Sequence, residues 1–365
     1  MARVLVAANS IWNIGNFRSG LIRSLVGAGH EVTTVAPDPG GIRIDGARIP
    51  HRTFRMERSG TNPVKDLACL RDLARIIREE RPHIFFSFTI KPNIYGSIAC
   101  ALSRVPAVPN VSGLGTTFLG SSVFRRAVSL MYRVAFARAK AVFFQNPDDR
   151  DLFLSLKIVK PGQALVLPGS GIDPSGFTPS PLPRQLCFLM IGRLLGDKGI
   201  REFVQAARKL RAALPEATFS ILGELDQGNP TAVGEAELAE WIAEGSIQYL
   251  GCTEDVRPFI ADSAAVVLPS YREGLPRTLL EGAAMGRPLI ATDVPGCRQV
   301  VRDGITGFLC RARSADSLAE AMMRFALAPH DERVAMGKRA RTMVEDEFDE
   351  ALVVRAYLDA MPRPD

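Results

Sequence analysis

Short apolar segments alternate with longer, helix-like segments along nearly the whole chain of 365 residues. In the first half this pattern predicts strands at residues 4–8, 31–36, 83–88, 107–111, 141–145 and 164–167, and helices at residues 17–28, 63–80, 92–102 and 123–138. A strand, a helix and a second strand in succession are typical of a parallel sheet covered by helices. The first half is therefore predicted to be a doubly wound α/β domain.

A second alternating set follows residues 174–184, which hold four prolines in eleven residues and predict a stiff linker. Strands are expected at residues 186–191, 218–222, 247–250, 264–268 and 288–291, helices at residues 200–213, 234–244 and 277–285, and a charged helical segment at residues 331–357. A chain of this length exceeds what one hydrophobic core usually supports. We therefore expect two domains, at residues 1–173 and 185–345.

The cysteines and histidines argue against a disulfide framework and against a metal site. The six cysteines are scattered without a C-x-x-C pair, and none of the four histidines is closely paired. The N-terminal residues MARVLVAA predict a strand rather than a signal peptide, and no apolar run reaches the length of a membrane-spanning helix. We expect a soluble protein, or one bound to a membrane surface.

The charge is distributed unevenly between the two halves. Residues 1–180 carry 23 Lys or Arg and 12 Asp or Glu, whereas residues 181–365 carry 22 and 27. A basic half suits nucleic acid, an anionic bilayer or a phosphorylated substrate. The basic residues are spread out and form no motif with interleaved aromatics, so nucleic acid is the least favoured of these partners.

Two glutamates follow the strand predicted at residues 264–268. Glu273 and Glu281 flank a turn made of Gly274, Leu275 and Pro276, and a helix is predicted to start directly after it. The amides and the positive end of a helix start attract anions, while carboxylates accept hydrogen bonds from hydroxyl groups. The pattern indicates a ligand with phosphates and vicinal hydroxyls, such as a nucleotide sugar. The alternative is a pair of solvated charges at a helix start.

A second candidate loop closes the strand predicted at residues 186–191. It contains Gly192, Arg193 and Lys198. The Arg193 guanidinium can grip a diphosphate in a fork, and the Lys198 ammonium adds a compact positive charge. Such charges stabilise a leaving group that becomes more negative. The alternative is a solvated basic turn.

Together these motifs resemble those of the family 4 glycosyltransferases, which have the GT-B fold. The matching stretches are E-G-L-P at 273–276 with Glu281, G-R-P-L-I-A-T at 286–292 with Gly296, G-R-L-L-G-D-K-G at 192–199, and D-G-I-T-G-F-L at 303–309, a hairpin in the family. The resemblance implies an α/β protein with two doubly wound Rossmann-like domains facing across a cleft. It also implies that a C-terminal helix, at residues 346–365, crosses back to the first domain.

The resemblance assigns roles on the donor side. It makes Arg193, Lys198 and Glu273 the catalytic residues, with the two cations in place of a metal. Glu281 would bind the ribose hydroxyls, Glu273 the donor sugar, and the amides of residues 274–276 the phosphates. Cys252 lies in the segment where the family holds the nucleobase.

On the acceptor side, a loop is expected at residues 9–18. It lacks the G-x-G-x-x-G motif of dinucleotide enzymes, and Gly15-Asn16 replaces the Gly-Gly pair of many family members. With residues 89–96, 110–115 and 145–149, the loop resembles a subset that builds surface glycans on polyprenyl diphosphates. Candidate acceptor ligands are Gly15, Asn16, Arg18, Lys91 and Ser112. Ser112 replaces a histidine of many members and cannot do that residue's acid–base work near neutral pH.

Residues 123–140 predict an amphipathic helix. Arg126, Arg133 and Lys140 recur every seven residues, and the apolar residues between them are expected on the opposite face. The helix is either an ordinary domain helix with a solvated basic side or a surface that binds anionic lipid.

The predicted function is a retaining, metal-independent glycosyl transfer without a cofactor. A sugar, expected to be of the N-acetylhexosamine type, would move from a UDP-sugar to a polyprenyl-diphosphate-linked saccharide at the cytoplasmic face of the inner membrane. Two alternatives remain: a nucleotide-sugar epimerase of the same fold, and a non-catalytic protein that binds nucleotide sugars.

Overall fold

The computed structural model describes residues 1–57, 60, 62–114 and 122–362, with side chains left out at residues 122–124. It divides into two compact units. The first unit comprises Met1–Ser170 and the C-terminal segment from Glu350, and the second unit is Gly171–Asp349.

In its described residues, the first unit contains a sheet of seven parallel strands in the order β5-β2-β1-β6-β7-β8-β9. The strands are β1 (Arg3–Ala7), β2 (Glu31–Ala36), β5 (His51–Thr53), β6 (Ile84–Phe88), β7 (Ala107–Val111), β8 (Val142–Phe144) and β9 (Ala164–Val166), and β3 (Arg43–Ile44) and β4 (Ala47–Arg48) form a small antiparallel ribbon. The helices are α1 (Ile11–Gly27), α2 (Pro63–Glu80), α3 (Ser97–Ser103), α4 (Ser122–Phe136), α5 (Pro147–Ser155) and α13 (Glu350–Asp359). A π-helical stretch, Pro92–Gly96, precedes α3.

The second unit has a sheet of six parallel strands in the order β12-β11-β10-β13-β14-β15. The strands are β10 (Cys187–Ile191), β11 (Thr218–Leu222), β12 (Gln248–Tyr249), β13 (Ala265–Leu268), β14 (Leu289–Thr292) and β15 (Gly307–Cys310). The helices are α6 (Ile200–Leu210), α7 (Glu235–Ala243), α8 (Arg257–Ala261), α9 (Arg277–Ala284), α10 (Cys297–Val300), α11 (Ala315–Leu327) and α12 (His330–Glu347). The central strands β6, β7 and β13 are buried along their whole length, as strands covered by helices on both faces must be.

The loop expected at residues 9–18 is mostly helix, so this prediction was wrong. Helix α1 begins at Ile11 because the Ser10 side chain accepts a hydrogen bond from the Asn13 amide at 3.1 Å. An N-cap serine supplies one of the acceptors that the first helical amides lack. The candidates Gly15, Asn16 and Arg18 therefore lie on a helix.

The D-G-I-T-G-F-L stretch is not a hairpin either. A turn ends at β15, which pairs with β14 in a parallel register from Leu289↔Gly307 to Thr292↔Cys310. Gly307 is required there, because a Cβ atom at this position would lie 1.7 Å from the Leu289 carbonyl oxygen. The stretch turns back on itself only locally, where the Gly304 amide donates to the Gly307 carbonyl at 2.8 Å, and β15 then extends the sheet.

The proline-rich segment at residues 174–184 packs on the second unit. The fully buried Arg287 side chain donates from Nη2 to the Ser180 carbonyl at 3.0 Å, and Arg341 Nη1 donates to the Phe177 carbonyl at 2.6 Å. Burial lowers the pKa of Arg287 to about 10, so the side chain stays charged at neutral pH. Two arginines thus fix a segment that cannot make regular backbone ladders.

The helical segment expected at residues 331–357 is broken into two helices, α12 and α13. At the break, the Ile172 amide donates to the Phe348 carbonyl at 3.0 Å. Helix α13 belongs to the first unit, where the fully buried Tyr357 ring meets Phe86 and Phe143 edge-on at centroid distances of 4.9 Å.

Helix α4 does not bury the face that the sequence predicted. Its buried residues include Val128, Tyr132, Ala135 and Phe136. Leu130, Met131 and Val134, which were expected opposite the basic residues, are all exposed. Leu130 lies one helical turn from both Arg126 and Arg133, so it shares their side of the helix. Val123 and Phe124, also expected on the apolar face, lie outside the described side chains. Lys140 follows the helix and donates from Nζ to the Ala360 carbonyl at 2.8 Å.

Candidate active site

Two loops of the second unit leave neighbouring strands at the carboxyl edge of its sheet. Residues 192–199 follow β10 and residues 269–276 follow β13, and these strands are paired. The Tyr271 amide donates to the Asp197 carbonyl at 2.9 Å, which joins the loops. Gly199 has φ 73°, and a Cβ atom there would lie 2.0 Å from the Pro269 carbonyl oxygen. Only glycine permits this approach of the two backbones.

The joined loops bring Lys198 and Glu273 into contact. Lys198 Nζ lies 2.5 Å from Glu273 Oε1, and the Ser270 hydroxyl donates to the same oxygen at 2.5 Å. The side chains are 25% and 13% exposed, so the pair is reachable yet largely shielded from water. An ammonium has three donors. Lys198 can therefore keep its bond to Glu273 and still donate to an anion.

Glu281 lies one turn into α9. Arg277 Nε donates to Glu281 Oε1 at 3.0 Å. Burial raises the pKa of Glu281, and the nearby Arg277 guanidinium opposes that rise. Helix α9 starts after Pro276, whose side chain makes no capping hydrogen bond. The start of the helix and the Glu281 carboxylate together offer an anion site next to a hydroxyl acceptor.

The turn before α9 is held by a second glycine. Gly296 has φ 85°, and a Cβ atom there would lie 2.7 Å from the Gly274 carbonyl oxygen and 2.8 Å from that of Glu273. The Glu273 amide also donates to the Pro295 carbonyl at 3.2 Å. Gly274, Leu275 and the start of α9 are therefore positioned by the loop after β14.

Arg193 does not join the Lys198–Glu273 pair. Its Nη1 lies 2.6 Å from Asp226 Oδ2, and the side chain is 54% exposed. Gly192 directly follows β10, and the neighbouring Gly223 is needed because a Cβ atom there would lie 1.9 Å from the Gly192 carbonyl oxygen. Exposed Cys252 follows β12.

The candidate acceptor-binding residues of the first unit lie in different environments. Arg18 is buried, with its guanidinium carbon 3.9 Å from the centre of the Phe88 ring. Lys91 Nζ lies 2.8 Å from Asp66 Oδ1, with side chains 15% and 16% exposed, so Lys91 faces α2. Gly15 and the exposed Asn16 lie on α1, and Asn16 Nδ2 donates to the Trp12 carbonyl at 3.1 Å.

Ser112 lies at the edge of a neutral hydrogen-bond network. Its hydroxyl donates to Asn110 Oδ1 at 3.3 Å. Asn110 Nδ2 donates to the Tyr357 hydroxyl at 2.8 Å, and Asn93 Nδ2 donates to the Asn110 carbonyl at 2.7 Å. Ser87 Oγ donates to Asn93 Oδ1 at 2.8 Å. Burial raises the pKa of Tyr357 to about 12, although the Arg18 charge opposes the rise, so the phenol stays neutral. Gly115, the last residue of the motif that contains Ser112, lies outside the described residues.

In the part of the chain that the structure describes, no group of three or more His, Cys, Asp or Glu side chains is placed to hold a metal ion. In the same part, no helix combines the length and the apolar character needed to span a membrane.

Two family models match most of the chain between them. The model described as "Glycosyl transferase 4-like domain" matches residues 14–169, and the model described as "Glycosyl transferases group 1" matches residues 185–327. The second match contains Gly192, Lys198, Glu273 and Glu281. The chain is a group 1, family 4 glycosyltransferase.

Two relatives of this glycosyltransferase have an undecaprenol diphosphate group in their names. It is 24% identical to the N,N'-diacetylbacillosaminyl-diphospho-undecaprenol alpha-1,3-N-acetylgalactosaminyltransferase of Campylobacter jejuni, with 96% of each chain covered. It is 26% identical to the UDP-Gal:alpha-D-GlcNAc-diphosphoundecaprenol alpha-1,3-galactosyltransferase of Escherichia coli, over 78% of this chain and 76% of that protein.

Solved structures confirm the GT-B fold of the glycosyltransferase. Anabaena HepE in complex with UDP and glucose has a TM-score of 0.79 at 18% identity and covers 98% of this chain and 99% of that chain. TarM has a TM-score of 0.80 at 11% identity, with 100% and 99% covered.

Sequence reasoning missed several polar residues of the glycosyltransferase. The Tyr271 hydroxyl donates to Glu202 Oε1 at 2.6 Å, and the Arg313 guanidinium carbon lies 4.6 Å from the Tyr271 ring centre. These contacts hold the loop that carries Glu273. No sequence motif indicates Glu202, because acidic residues are common in the first turn of a helix.

Thr89 is another polar residue that sequence reasoning missed. It has φ 71°, which is rare and strained for a β-branched residue. Among the described residues, the buried Thr89 Oγ1 and Asn9 Oδ1 have no hydrogen-bond partner. They follow the paired strands β6 and β1 at the carboxyl edge of the sheet. A strained residue and unpaired buried oxygens at neighbouring strand ends suit a ligand that donates hydrogen bonds.

Proposed function

We propose that this glycosyltransferase is a retaining enzyme that moves a sugar from a UDP-sugar to a polyprenyl-diphosphate-linked saccharide. The observation that carries the proposal is the Lys198–Glu273 contact of 2.5 Å beside the start of α9. It combines a cation for the diphosphate with a carboxylate for sugar hydroxyls. Glu281 adds a second carboxylate for the ribose.

The transfer reaction is favoured by positive charge near the leaving group. The bond between the anomeric carbon and the diphosphate oxygen breaks, and an acceptor hydroxyl bonds to the same face of that carbon. Lys198, Arg193 and the first amides of α9 stabilise the charge that develops on UDP. These groups do the work that a metal ion does in other transferases. No protein nucleophile is assigned.

The acceptor proton goes to the leaving diphosphate oxygen. Ser112 is bonded to Asn110 and has no basic partner among its contacts. A hydroxyl of this kind is a poor base near neutral pH. The products are UDP and a glycan longer by one sugar, which we propose to be of the N-acetylhexosamine type.

The names of these two relatives support a polyprenyl-diphosphate acceptor, since both contain an undecaprenol diphosphate group. Arg18, Lys91, Asn16 and Gly15 remain the candidate ligands of that acceptor. The carrier lipid would place the reaction at the cytoplasmic face of the inner membrane, with the enzyme bound peripherally.

The test is UDP release from a panel of UDP-sugars, with and without a polyprenyl-diphosphate-linked saccharide. We expect release with one donor only when the acceptor is present, and its loss in Lys198→Ala and Glu281→Ala. Lys209→Ala is the matched control, because Lys209 forms an exposed pair with Asp316 in the same unit. Donor binding without turnover on any lipid-linked acceptor would reject the acceptor class. No binding of any UDP-sugar would reject the proposal.

A further inference from the structure

A third loop of the second unit is bonded to the loop that follows β10. This β11 loop, residues 224–233, comes directly after Gly223 at the end of β11, the strand paired with β10. The Leu194 amide donates to the Glu224 carbonyl at 2.9 Å, and the Gly196 amide donates to the Thr231 carbonyl at 2.7 Å. The two backbones therefore hold each other at the carboxyl edge of the sheet.

The side chain of Asn229, and not that of Asp226, shapes the β11 loop. Asn229 Oδ1 accepts hydrogen bonds from the Thr231 amide and the Thr231 hydroxyl, both at 3.1 Å. The Asn229 amide donates to the Asp226 carbonyl at 3.0 Å, a backbone bond that any residue at 226 can accept. Within the described residues, the Asp226 carboxylate bonds to Arg193 alone. The carboxylate therefore acts on Arg193 and is not needed for the fold of its own loop.

The pair leaves most of the Arg193 guanidinium available. Nη1 donates to Asp226 Oδ2 at 2.6 Å, and in the described part of the chain the Arg193 side chain makes no other hydrogen bond. A guanidinium has five N–H donors in a planar fork, so Nε and Nη2 can still donate to a diphosphate. A long arginine side chain loses rotamer freedom when it binds a ligand. The bond to Asp226 removes part of that freedom before the ligand arrives.

We propose that Asp226 is a positioning residue, which orients the Arg193 guanidinium toward the diphosphate of the sugar donor. The inference rests on the donor-binding role given to Arg193 in the proposed function. Negative charge grows on the diphosphate as its bond to the sugar breaks, so an oriented cation stabilises the transition state more than the bound donor. Asp226 itself touches neither the donor nor the acceptor.

The opposite role for Asp226 is that of a competing anion. A carboxylate that occupied the diphosphate site would have to leave Arg193 before the donor could bind, and its removal would strengthen binding. The geometry disfavours this role, because Asp226 bonds to one nitrogen of the fork. The side chains of Arg193 and Asp226 are 54% and 30% exposed, so water and salt screen the repulsion between Asp226 and a diphosphate.

The experiment measures kcat and the donor KM by UDP release, and the affinity of the purified full chain for UDP alone by calorimetry. We expect Asp226→Ala to lower kcat about tenfold with less than about a threefold change in KM. UDP carries the full charge of the leaving group, so its affinity should also fall about tenfold. Asp226→Asn keeps an acceptor for Arg193 Nη1 and should recover part of both losses.

A double variant separates positioning from a structural role. In the Arg193→Ala background, Asp226→Ala should cause no further loss of kcat or of UDP affinity, because Asp226 then has no guanidinium to orient. A structural role would give the same loss in both backgrounds. The matched control is Glu244→Ala, since Glu244 forms an exposed pair with Arg208 at 2.7 Å in the same unit. It should leave kcat, KM and the UDP affinity unchanged.

Three results would overturn the inference: parent-like kcat and UDP affinity in Asp226→Ala, equal losses in the two backgrounds, or tighter UDP binding by Asp226→Ala, which would identify a competing anion. UDP affinity is measured without turnover, so it tests the inference separately from the acceptor. A parent chain that binds neither UDP nor any UDP-sugar would reject the proposed function, and the inference with it. Far-UV circular dichroism and the thermal midpoint check that the variants are folded.

Discussion

The carboxyl edges of the sheets in the two units carry different kinds of side chains. At the carboxyl edge of the second unit, charged side chains are held in pairs, such as Lys198–Glu273 and Arg277–Glu281. The same edge of the first unit carries a neutral network, in which Asn110 is bonded to the Tyr357 hydroxyl, in addition to the Lys91–Asp66 pair. Two parallel sheets of similar strand order thus present different surfaces to a ligand.

The difference fits the role that we propose for each unit. A leaving diphosphate gains negative charge, so fixed cations stabilise it more than they stabilise the substrate. Acceptor hydroxyls stay neutral until they react, and neutral hydrogen bonds can be buried at lower cost than charges. Charge is therefore expected to govern rate in the second unit, and the neutral network to govern stability in the first.

The largest effect is expected for Lys198→Ala. Loss of a fixed cation at the leaving group should lower kcat about 100- to 1,000-fold with a smaller change in KM. Steady-state UDP release measures both constants. A parent-like kcat would show that charge in the second unit does not govern rate, whereas Lys209→Ala should leave both constants unchanged.

The next effect concerns the stability of the first unit. Asn110→Ala leaves the buried Tyr357 hydroxyl without its donor and should lower the free energy of unfolding by about 2 kcal/mol. Urea unfolding followed by far-UV circular dichroism measures the loss. Asn16→Ala removes an exposed amide of the same unit and should change the stability by less than about 0.5 kcal/mol. Equal losses in the two variants would contradict a stabilising network.

A smaller effect tests the cost of charge in the second unit. Burial raises the folded-state pKa of Glu281 above its unfolded value, so the fold favours the neutral acid. The parent chain therefore loses stability as pH rises through the folded pKa. Glu281→Gln stays neutral and keeps an acceptor for Arg277, so it should be more stable by on the order of 1 kcal/mol above that pH. Thermal melts at several pH values should show the gain vanish in acid, while donor affinity falls.

The smallest effect is expected for Ser112→Ala. Because the leaving diphosphate is proposed to take the acceptor proton, kcat should fall less than about threefold and its pH profile should keep its shape. A loss of about 100-fold in kcat, with a changed pH profile, would assign acid–base chemistry to the first unit. It would contradict the proposed difference between the two units.

The donor half was largely predictable because its motifs are local. Each loop is continuous with a strand whose apolar run is easy to detect, and parallel pairing then brings the loops together. The sequence indicated Lys198 and Glu273 as neighbours in function, and the structure places them 2.5 Å apart. It did not reveal that Arg193 pairs with Asp226, because short polar loops do not encode which side chains meet.

The first unit was harder to predict because its site depends on distant residues. The Asn110–Tyr357 bond joins positions 247 residues apart, which no local pattern can reveal. The start of α1 was missed although Ser10 is an N-cap residue. The apolar face of α4 was assigned wrongly because Leu130 and Val134 were placed opposite the basic residues on hydrophobicity alone. Exposed apolar residues are the exceptions that this rule cannot detect.

Helix α13 has a consequence for how the chain folds during synthesis. It supplies Tyr357 to the core of the first unit, yet it follows the whole second unit along the chain. The ribosome therefore releases Gly171–Asp349 before the first unit can fill the space against Phe86 and Phe143. Until the last helix emerges, that apolar surface is open to water and to chaperones. A chain that stopped at residue 349 would hold every candidate donor residue but would leave the first unit without part of its core.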